Sequence, residues 1–321
     1  MRLRKVKGIL TFVVVVLALW TKPSAFSGGA SAGLAPSDSQ PPETPVPTAA
    51  SVPSTTPVVA ASSTPLTVSA PIVVTTDDRT IENVAITSVA RDGVAIRAWG
   101  TAEAPIRNLT IRNCRIDGFG SGIDARFVVN LVVENCVVED AAYAGIIVYS
   151  GVGGRIADNQ IRRIGVGIDL HGPDDNNAYG IALSRIGTPS LATDPRTSGF
   201  VVERNTVEDV PLWHGIDTHA GSSITIRDNV VRGCPRAIFI TVDRADFRPE
   251  SIVVTQNRLE NAVAVPGGTN TTAITLVNLQ GGSITDNVIS TTYPEPFVYD
   301  YLGLDPAGSI NVKIAGQRAI P

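Results

Sequence analysis

The chain contains three histidines, His171, His214 and His219, all in its central third. Two of them fall in the run Trp213-His-Gly-Ile-Asp217-Thr-His219-Ala220. If this run is a β-strand, Asp217 and His219, two residues apart, share one face. A carboxylate beside an imidazole raises its pKa, fixes its tautomer and prepares it to move a proton near neutral pH. Asp217 and His219 are therefore the first candidates for acid–base chemistry, with His214 beside them. An Asp-x-His pair alone is a weak motif, and its weight depends on what neighbouring elements bring to the same face.

Those elements repeat. A six-residue pattern of apolar, two polar, Asn or Cys, any residue, apolar runs through Ile111–Ile116, Val133–Val138, Ile156–Ile161, Val202–Val207, Ile226–Val231, Val254–Leu259 and Ile284–Ile289, with a weaker copy at Ile81–Ile86. Its fourth positions are Val84, Cys114, Cys136, Asn159, Asn205, Asn229, Asn257 and Asn287, mostly 22 to 30 residues apart. A period of this size marks a solenoid. A second short strand follows in most coils: Val94–Arg97, Ile123–Arg126, Ile146–Tyr149, Ile216–His219, Ile238–Thr241 and Ile274–Val277. Two to three short strands per coil predict an all-β fold, a single-stranded right-handed parallel β-helix of about 8–10 coils stacked at about 4.8 Å. Stacked Asn side chains can bond to one another along the fourth column, and Asn also tolerates a left-handed turn.

In the second strand the first and third residues should point inward and the second and fourth outward. The outward columns then read Ala95, Asp124, Ile147, Asp217, Phe239, Thr275 and Arg97, Arg126, Tyr149, His219, Thr241, Val277. Tyr149 joins the catalytic candidates, and Arg126, Arg97, Arg236 and Asp124 become candidates for holding a substrate. The competing reading is an ordinary solvated sheet face. Against it, the middle of the line carries Arg, Tyr, His and Asp, while its ends are bland.

The period fails once, across the 46 residues between Asn159 and Asn205, through a degenerate coil or an insertion. Either Ile168–His171 or Ile181–Ser184 is the strand there; the second has the cleaner pattern. Residues 165–178 would then form a loop beside the face, with Asp169, His171, Asp174 and Asp175 at its rim. His171 and Tyr179 are added as substrate-binding candidates. The Asp-Asp-Asn-Asn run at 174–177 is a calcium candidate, though such runs are more often turns. No other metal ligands and no cofactor are expected.

Composition sets bounds. Charged residues make up 17% and aromatics 5%, and the formal net charge of -4 argues against nucleic acid as the partner. Three cysteines exclude a disulfide-built scaffold. Cys114 and Cys136 are stacked neighbours, and two small buried side chains are favoured over a disulfide. Residues 1–27, with Arg2, Arg4, Lys5 and Lys7 before the apolar run Ile9–Trp20, have the form of a signal peptide, with an uncleaved anchor as the alternative. Residues 28–70, rich in Ser, Thr, Pro and Ala, are expected to be a disordered linker, and 71–316 the β-helix domain. The expectation is a secreted or extracytoplasmic monomer, with a tether to cell wall or membrane through the N-terminus as a further option.

Over about 71–316 the chain resembles secreted, carbohydrate-active, pectate-lyase-like right-handed β-helix proteins. His214-Gly-Ile-Asp217-Thr-His219 is similar to the Tyr-Gly-Phe/Ile-Asp-Pro-His-Asp motif of mannuronan C5-epimerases. Asp217 and His219 match it; His214 replaces the Tyr, Thr218 the Pro and Ala220 the final Asp. Asp243 stands where the family has a later acid, and Tyr149 or Tyr179 are candidates to replace the missing Tyr. The resemblance implies a polysaccharide partner and an enzyme that abstracts the C5 proton of a uronate glycan, as lyase or epimerase. The alternatives are a non-catalytic glycan-binding or spacer module, or a glycoside hydrolase using Asp217 with Asp243 or Asp174.

Overall fold

The computed structural model describes residues 65–167, 177–185, 194–242, 247–264, 271–301 and 308–321. The proposed signal peptide, nearly all of the linker, residues 174–176 of the calcium candidate, His171 and Asp243 lie outside these residues. The described residues form 29 strands arranged in three parallel sheets of ten, ten and nine. Each sheet takes one strand from nearly every coil, giving the right-handed parallel β-helix.

The hexapeptide supplies two sheets. Its first residues stack in one column, Ile81 on Ile111, Val133, Ile156, Val202, Ile226, Val254 and Ile284. Its sixth residues stack in another, from Ile86 through Val138 and Val207 to Ile289. Both columns point into the solenoid and are buried. The left-handed backbone of the intervening corner falls on the third residue, Asn113, Asn135, Asp158, Arg204, Asp228, Gln256 or Asp286, and not on the fourth-position Asn. The fourth residue instead turns its side chain inward.

That column forms a continuous ladder. Asn229 Nδ2 donates to Asn257 Oδ1 at 2.9 Å and to Val202 O at 2.9 Å, while Asn229 Oδ1 accepts from Asn205 N at 2.9 Å and Asn205 Nδ2 at 3.0 Å. The same pattern runs from Asn159 to Asn287, where Gln317 takes the next rung. At the other end Cys136 N donates to Asn159 Oδ1 at 2.9 Å. Cys114, Cys136 and Cys234 are buried free thiols.

Asn159 and Asn205 are bonded neighbours, so the 46-residue gap is an insertion within one coil and not a degenerate extra coil. The strand of that coil is Tyr179–Ser184. The stack also exceeds the expected bounds. Thr67–Val68, assigned to the linker, pairs with Val84–Ala85, and Arg318–Ile320 pairs with Val288–Ser290.

The third sheet carries the candidate residues. Its strands are β1 (Ile72–Val74), β2 (Val94–Trp99), β3 (Ser121–Arg126), β4 (Ala144–Tyr149), β5 (Tyr179–Ser184), β6 (His214–His219), β7 (Arg236–Thr241), β8 (Thr272–Val277) and β9 (Val298–Tyr301). The expected register holds from β3 to β8 and fails at β2. There Ile96, not Val94, stacks on Ile123, so Arg97 pairs with Asp124 and Trp99 with Arg126. Ala95 is buried in the core and not outward. Two apolar residues, Val94 and Ile96, competed for the inward place, and the six-residue strand length decides for Ile96.

Each inner Asn satisfies buried backbone and side-chain groups of both neighbouring coils, so removing one strands several of them at about 1–3 kcal/mol each before relaxation. Asn229→Ala should destabilise the domain by about 3 kcal/mol in urea unfolding; a loss under about 0.5 kcal/mol would show that the ladder is not a principal support.

Candidate functional site

Three residues of each strand from β3 to β8 face away from the core. The first-place column reads Ser121, Ala144, Tyr179, His214, Arg236, Thr272. Between them and the core lies a column of glycines, Gly122, Gly145, Gly180 and Gly215. A Cβ at Gly215 would meet Val231 Cγ1 at 2.5 Å and Ala237 O at 2.7 Å, so no side chain fits beneath His214. The fourth-place column holds Asp124, Ile147, Ala182, Asp217 and Phe239, and the sixth-place column Arg126, Tyr149, Ser184, His219 and Thr241.

On β6 these columns bring the expected pair together and add a third member. Asp217 is wholly buried and lies between two imidazoles. His214 Nδ1 contacts Asp217 Oδ2, and His219 Nε2 lies 3.1 Å from Asp217 Oδ1. His214 Nε2 faces Arg236 Nη1 at 3.5 Å. A guanidinium can only donate and a carboxylate can only accept, so both contacts select the same tautomer, with the His214 proton on Nδ1. His219 Nε2 and Asp217 Oδ1 are in ion-pair range without a hydrogen bond between them, so this contact leaves the His219 tautomer open. Burial pulls the His214 pKa down to about 4, against the pull of Asp217. Burial also raises the Asp217 carboxyl, but the His219 and His214 imidazoles outweigh it and hold the group at about 2. The unit is thus an ionised carboxylate with one buried neutral imidazole and one, His219, that remains 29% exposed.

Aromatic rings enclose this unit. His214 stacks with Phe239 at 4.1 Å and with Trp213 at 4.8 Å between centroids. Tyr179, one coil earlier, sits edge-on to His214 at 5.7 Å and to His219 at 6.4 Å. Burial, and then the Asp217 charge, push the Tyr179 phenol well above its usual pKa, so it stays protonated. The Arg236 guanidinium packs over Trp213 at 4.5 Å and Phe239 at 5.7 Å. Among the described residues no carboxylate salt-bridges it, whereas Arg155, Arg162, Arg163 and Arg204 on the other sheets are all paired. Burial lowers the Arg236 pKa and Asp217 only partly restores it, as expected of a cation short of counter-charge.

The remaining candidates lie further along the face. Arg126 is held by Asp124 through Nε at 3.0 Å and Nη2 at 2.8 Å and packs over Tyr149 at 5.2 Å, so its charge is already balanced. Tyr149 is two coils from His219. Arg97 belongs to the Asp124 column, not the Arg126 column. Residues that the sequence reasoning passed over are Trp99, Tyr143, Trp213 and Phe239. Two of the three tryptophans and five of the six tyrosines (143, 149, 179, 299 and 301) lie on or beside this one face, a clustering visible once the register is known.

His214, Asp217 and His219 offer donor atoms within 4.8 Å of one another, a set that can hold a divalent metal. The Arg236 guanidinium against His214 Nε2 and the ring stacking around His214 favour the proton-carrying arrangement over that use.

Residues 95–259 match the family model described as the right handed beta helix region. The chain belongs to this family. No curated protein matches it in sequence. Among solved structures, this right-handed β-helix protein is similar to the A-module of Azotobacter vinelandii mannuronan C-5 epimerase AlgE6, at 13% identity and a TM-score of 0.44, with 76% of this chain and 74% of that one covered. It is also similar to the GH136 lacto-N-biosidase of Eubacterium ramulus, at 12% identity and 0.50, covering 79% and 51%. A third is the DFA-IIIase of Arthrobacter chlorophenolicus A6 in complex with DFA-III, at 8% and 0.50, covering 75% and 54%. The chain spans about half the length of the last two. At these identities the likeness is one of fold.

The buried unit makes stability pH-dependent. His214 takes its proton at about 4 when folded and at about 6.5 when unfolded, so falling pH in that window favours the unfolded state. Asp217 adds a further loss as pH drops from about 4 toward its folded value of about 2. Denaturant stability should fall by up to roughly 3 kcal/mol between pH 6.5 and 4, and His214→Phe should flatten that part of the curve. An unchanged curve in the variant would locate the titration elsewhere.

Proposed function

We propose that this protein modifies an acidic, uronate-containing polysaccharide by abstracting the proton at C5, as a lyase or an epimerase. The observation that carries this reading is the wholly buried Asp217 beside a partly exposed imidazole, with a guanidinium that no described carboxylate salt-bridges and a protonated phenol around it. A uronate C5 proton is too weakly acidic to remove until the neighbouring carboxylate is neutralised, and Arg236 is placed to supply that charge. The His219 imidazole then takes the proton, and Asp217 stabilises the resulting imidazolium. Tyr179 is the proton donor. If it protonates C5 from the opposite face, the product is the epimer. If the electron pair at C5 instead expels the 4-linked oxygen, Tyr179 protonates that oxygen and a C4–C5 double bond remains. His214 fixes Asp217 and does not meet the substrate.

A hydrolase would need two carboxylates flanking the bond. Among the described residues Asp217 is bracketed by imidazoles and Asp124 is held by Arg126, while Asp243 and Asp174, the partners considered for Asp217, lie outside the described residues. A purely binding module is the second reading, favoured by the aromatic face and separated from the first by turnover. The proposal takes the protein as an extracytoplasmic monomer that needs no cofactor, a reading supported by the basic and apolar N-terminal run; residues 174–177 keep calcium as an option.

Purified protein incubated with alginate, pectate and glycosaminoglycans should give either unsaturated-uronate absorbance or, in deuterated water, exchange at C5 seen by proton NMR. His219→Ala and Tyr179→Phe should each lower the rate by about 10²–10⁴-fold, and a chelator should leave it intact. No change with any of these glycans, or equal rates in wild type and His219→Ala, would sink the proposal; loss of activity on chelation would show a metal requirement, at residues 174–177 if calcium alone restores it and at His214, Asp217 and His219 if a transition metal does.

A further inference from the structure

Five strands before Arg236 the same face carries a second cluster that takes no part in the chemistry above. Arg97 and Trp99 of β2 stand against Asp124 and Arg126 of β3 in register. Trp99 is 44% exposed. Two guanidiniums pack on its indole, Arg126 at 3.9 Å and Arg97 at 4.7 Å from the ring centroid. One carboxylate stands beside them, and Arg126 takes it. Asp124 is buried, and each of its oxygens accepts a bond from Arg126. Among the described residues no acid salt-bridges Arg97. The cluster is therefore an open aromatic platform with one uncompensated positive charge at its edge. Those are the two features that hold a sugar ring and an anionic group on it: a flat apolar surface for the ring and a planar, directional donor for the anion.

Arg97 and Arg236 occupy outward places on β2 and β7, five coil steps apart, or roughly 24 Å at 4.8 Å per step. Between them run Tyr149, Tyr143, Tyr179 and Trp213, packed side by side across the outer face. Among the described residues these two arginines are the face's uncompensated cations, one at each end of an aromatic strip.

We infer that Arg97, Trp99 and Arg126 form a second subsite for an anionic sugar unit, so that the ligand is a polyanionic glycan laid along the stacking axis and held at both ends of this strip. The inference rests on the reading above only in taking the ligand as an acidic glycan. Engagement of both ends at once makes the second contact intramolecular, so affinity rises with chain length once the strip is spanned.

Calorimetric titration of the full chain tests this with polyuronate fragments of two lengths, one too short to span 24 Å and one long enough. The wild type is expected to bind the long fragment about tenfold or more tighter than the short one, the worth of one charge-assisted contact. Added salt should shrink that gain. Arg97→Gln and Trp99→Leu should each remove most of it, and Arg97→Lys should restore part. Both side chains lie on the outer face, so the variants should keep wild-type thermal unfolding. If one fails to fold, the other decides. The subsite is overturned if wild type binds neither fragment, if the length gain is the same in wild type and variants, or if single-stranded DNA of matched length binds as tightly and loses as much in Arg97→Gln. A length gain that depends on Arg97 without any turnover would refute the catalytic reading and leave the subsite standing. Turnover with an unaltered length gain would do the reverse.

Discussion

The hydrogen-bonded parallel ladder between coils sets everything else in this molecule. Each strand residue is held about 4.8 Å from its counterpart above and below, so a residue type chosen once per coil becomes a column. Inward columns of Ile and Val make the core, and the Asn column ties the corner of each coil to the next. Because each Asn both donates and accepts along the stack, a shift of one coil by a single residue would break bonds on two sides at once. That rigidity is what allows the outer columns to hold side chains at fixed separations, which a site on a flexible loop would not do as well.

The site uses this rigidity to keep a charge where it would otherwise be costly. An ionised carboxylate with no exposure is several kcal/mol unfavourable unless it is paired and hydrogen-bonded. Asp217 is tolerated because β6 presents His214 and His219 on the same face as itself, one on each oxygen. The partners are not equivalent. His214 is sealed by Phe239, Trp213 and Tyr179 and is neutral, while His219 lies in the sixth-place column at the open edge. Burial thus divides two chemically identical side chains into a support and a proton acceptor. Arg236, stacked on the same rings one coil later, fixes the tautomer of the first and brings a partly buried charge that no described carboxylate salt-bridges.

Much of the fold was legible in the residues, because a period-two core pattern repeated in every coil has few alternatives. The strand Tyr179–Ser184 and the outward pairing of Asp217 with His219 follow from that pattern directly. What it did not reveal has local causes. Val94 and Ile96 are both plausible inward residues, and the wrong choice moves Arg97 by one outward place and hides Trp99. The corner at Asn113 or Asp158 was ambiguous because two consecutive polar residues can each adopt the left-handed turn, and only the inward ladder decides which does. His214 looked like a replacement for a reactive tyrosine. Its role as a buried partner of Asp217 depends on Trp213, Phe239 and Arg236, and two of those reach it only through stacking of the next coil.

The central claim is that one carboxylate divides two histidines into a fixed, neutral support and a partly exposed base. Nitrogen NMR of the imidazole rings across pH 5 to 8 tests it most directly. The account requires His214 to stay neutral and protonated on Nδ1 through that range. A His214 ring that titrates near its unperturbed value of about 6.5, or that carries its proton on Nε2, would contradict it.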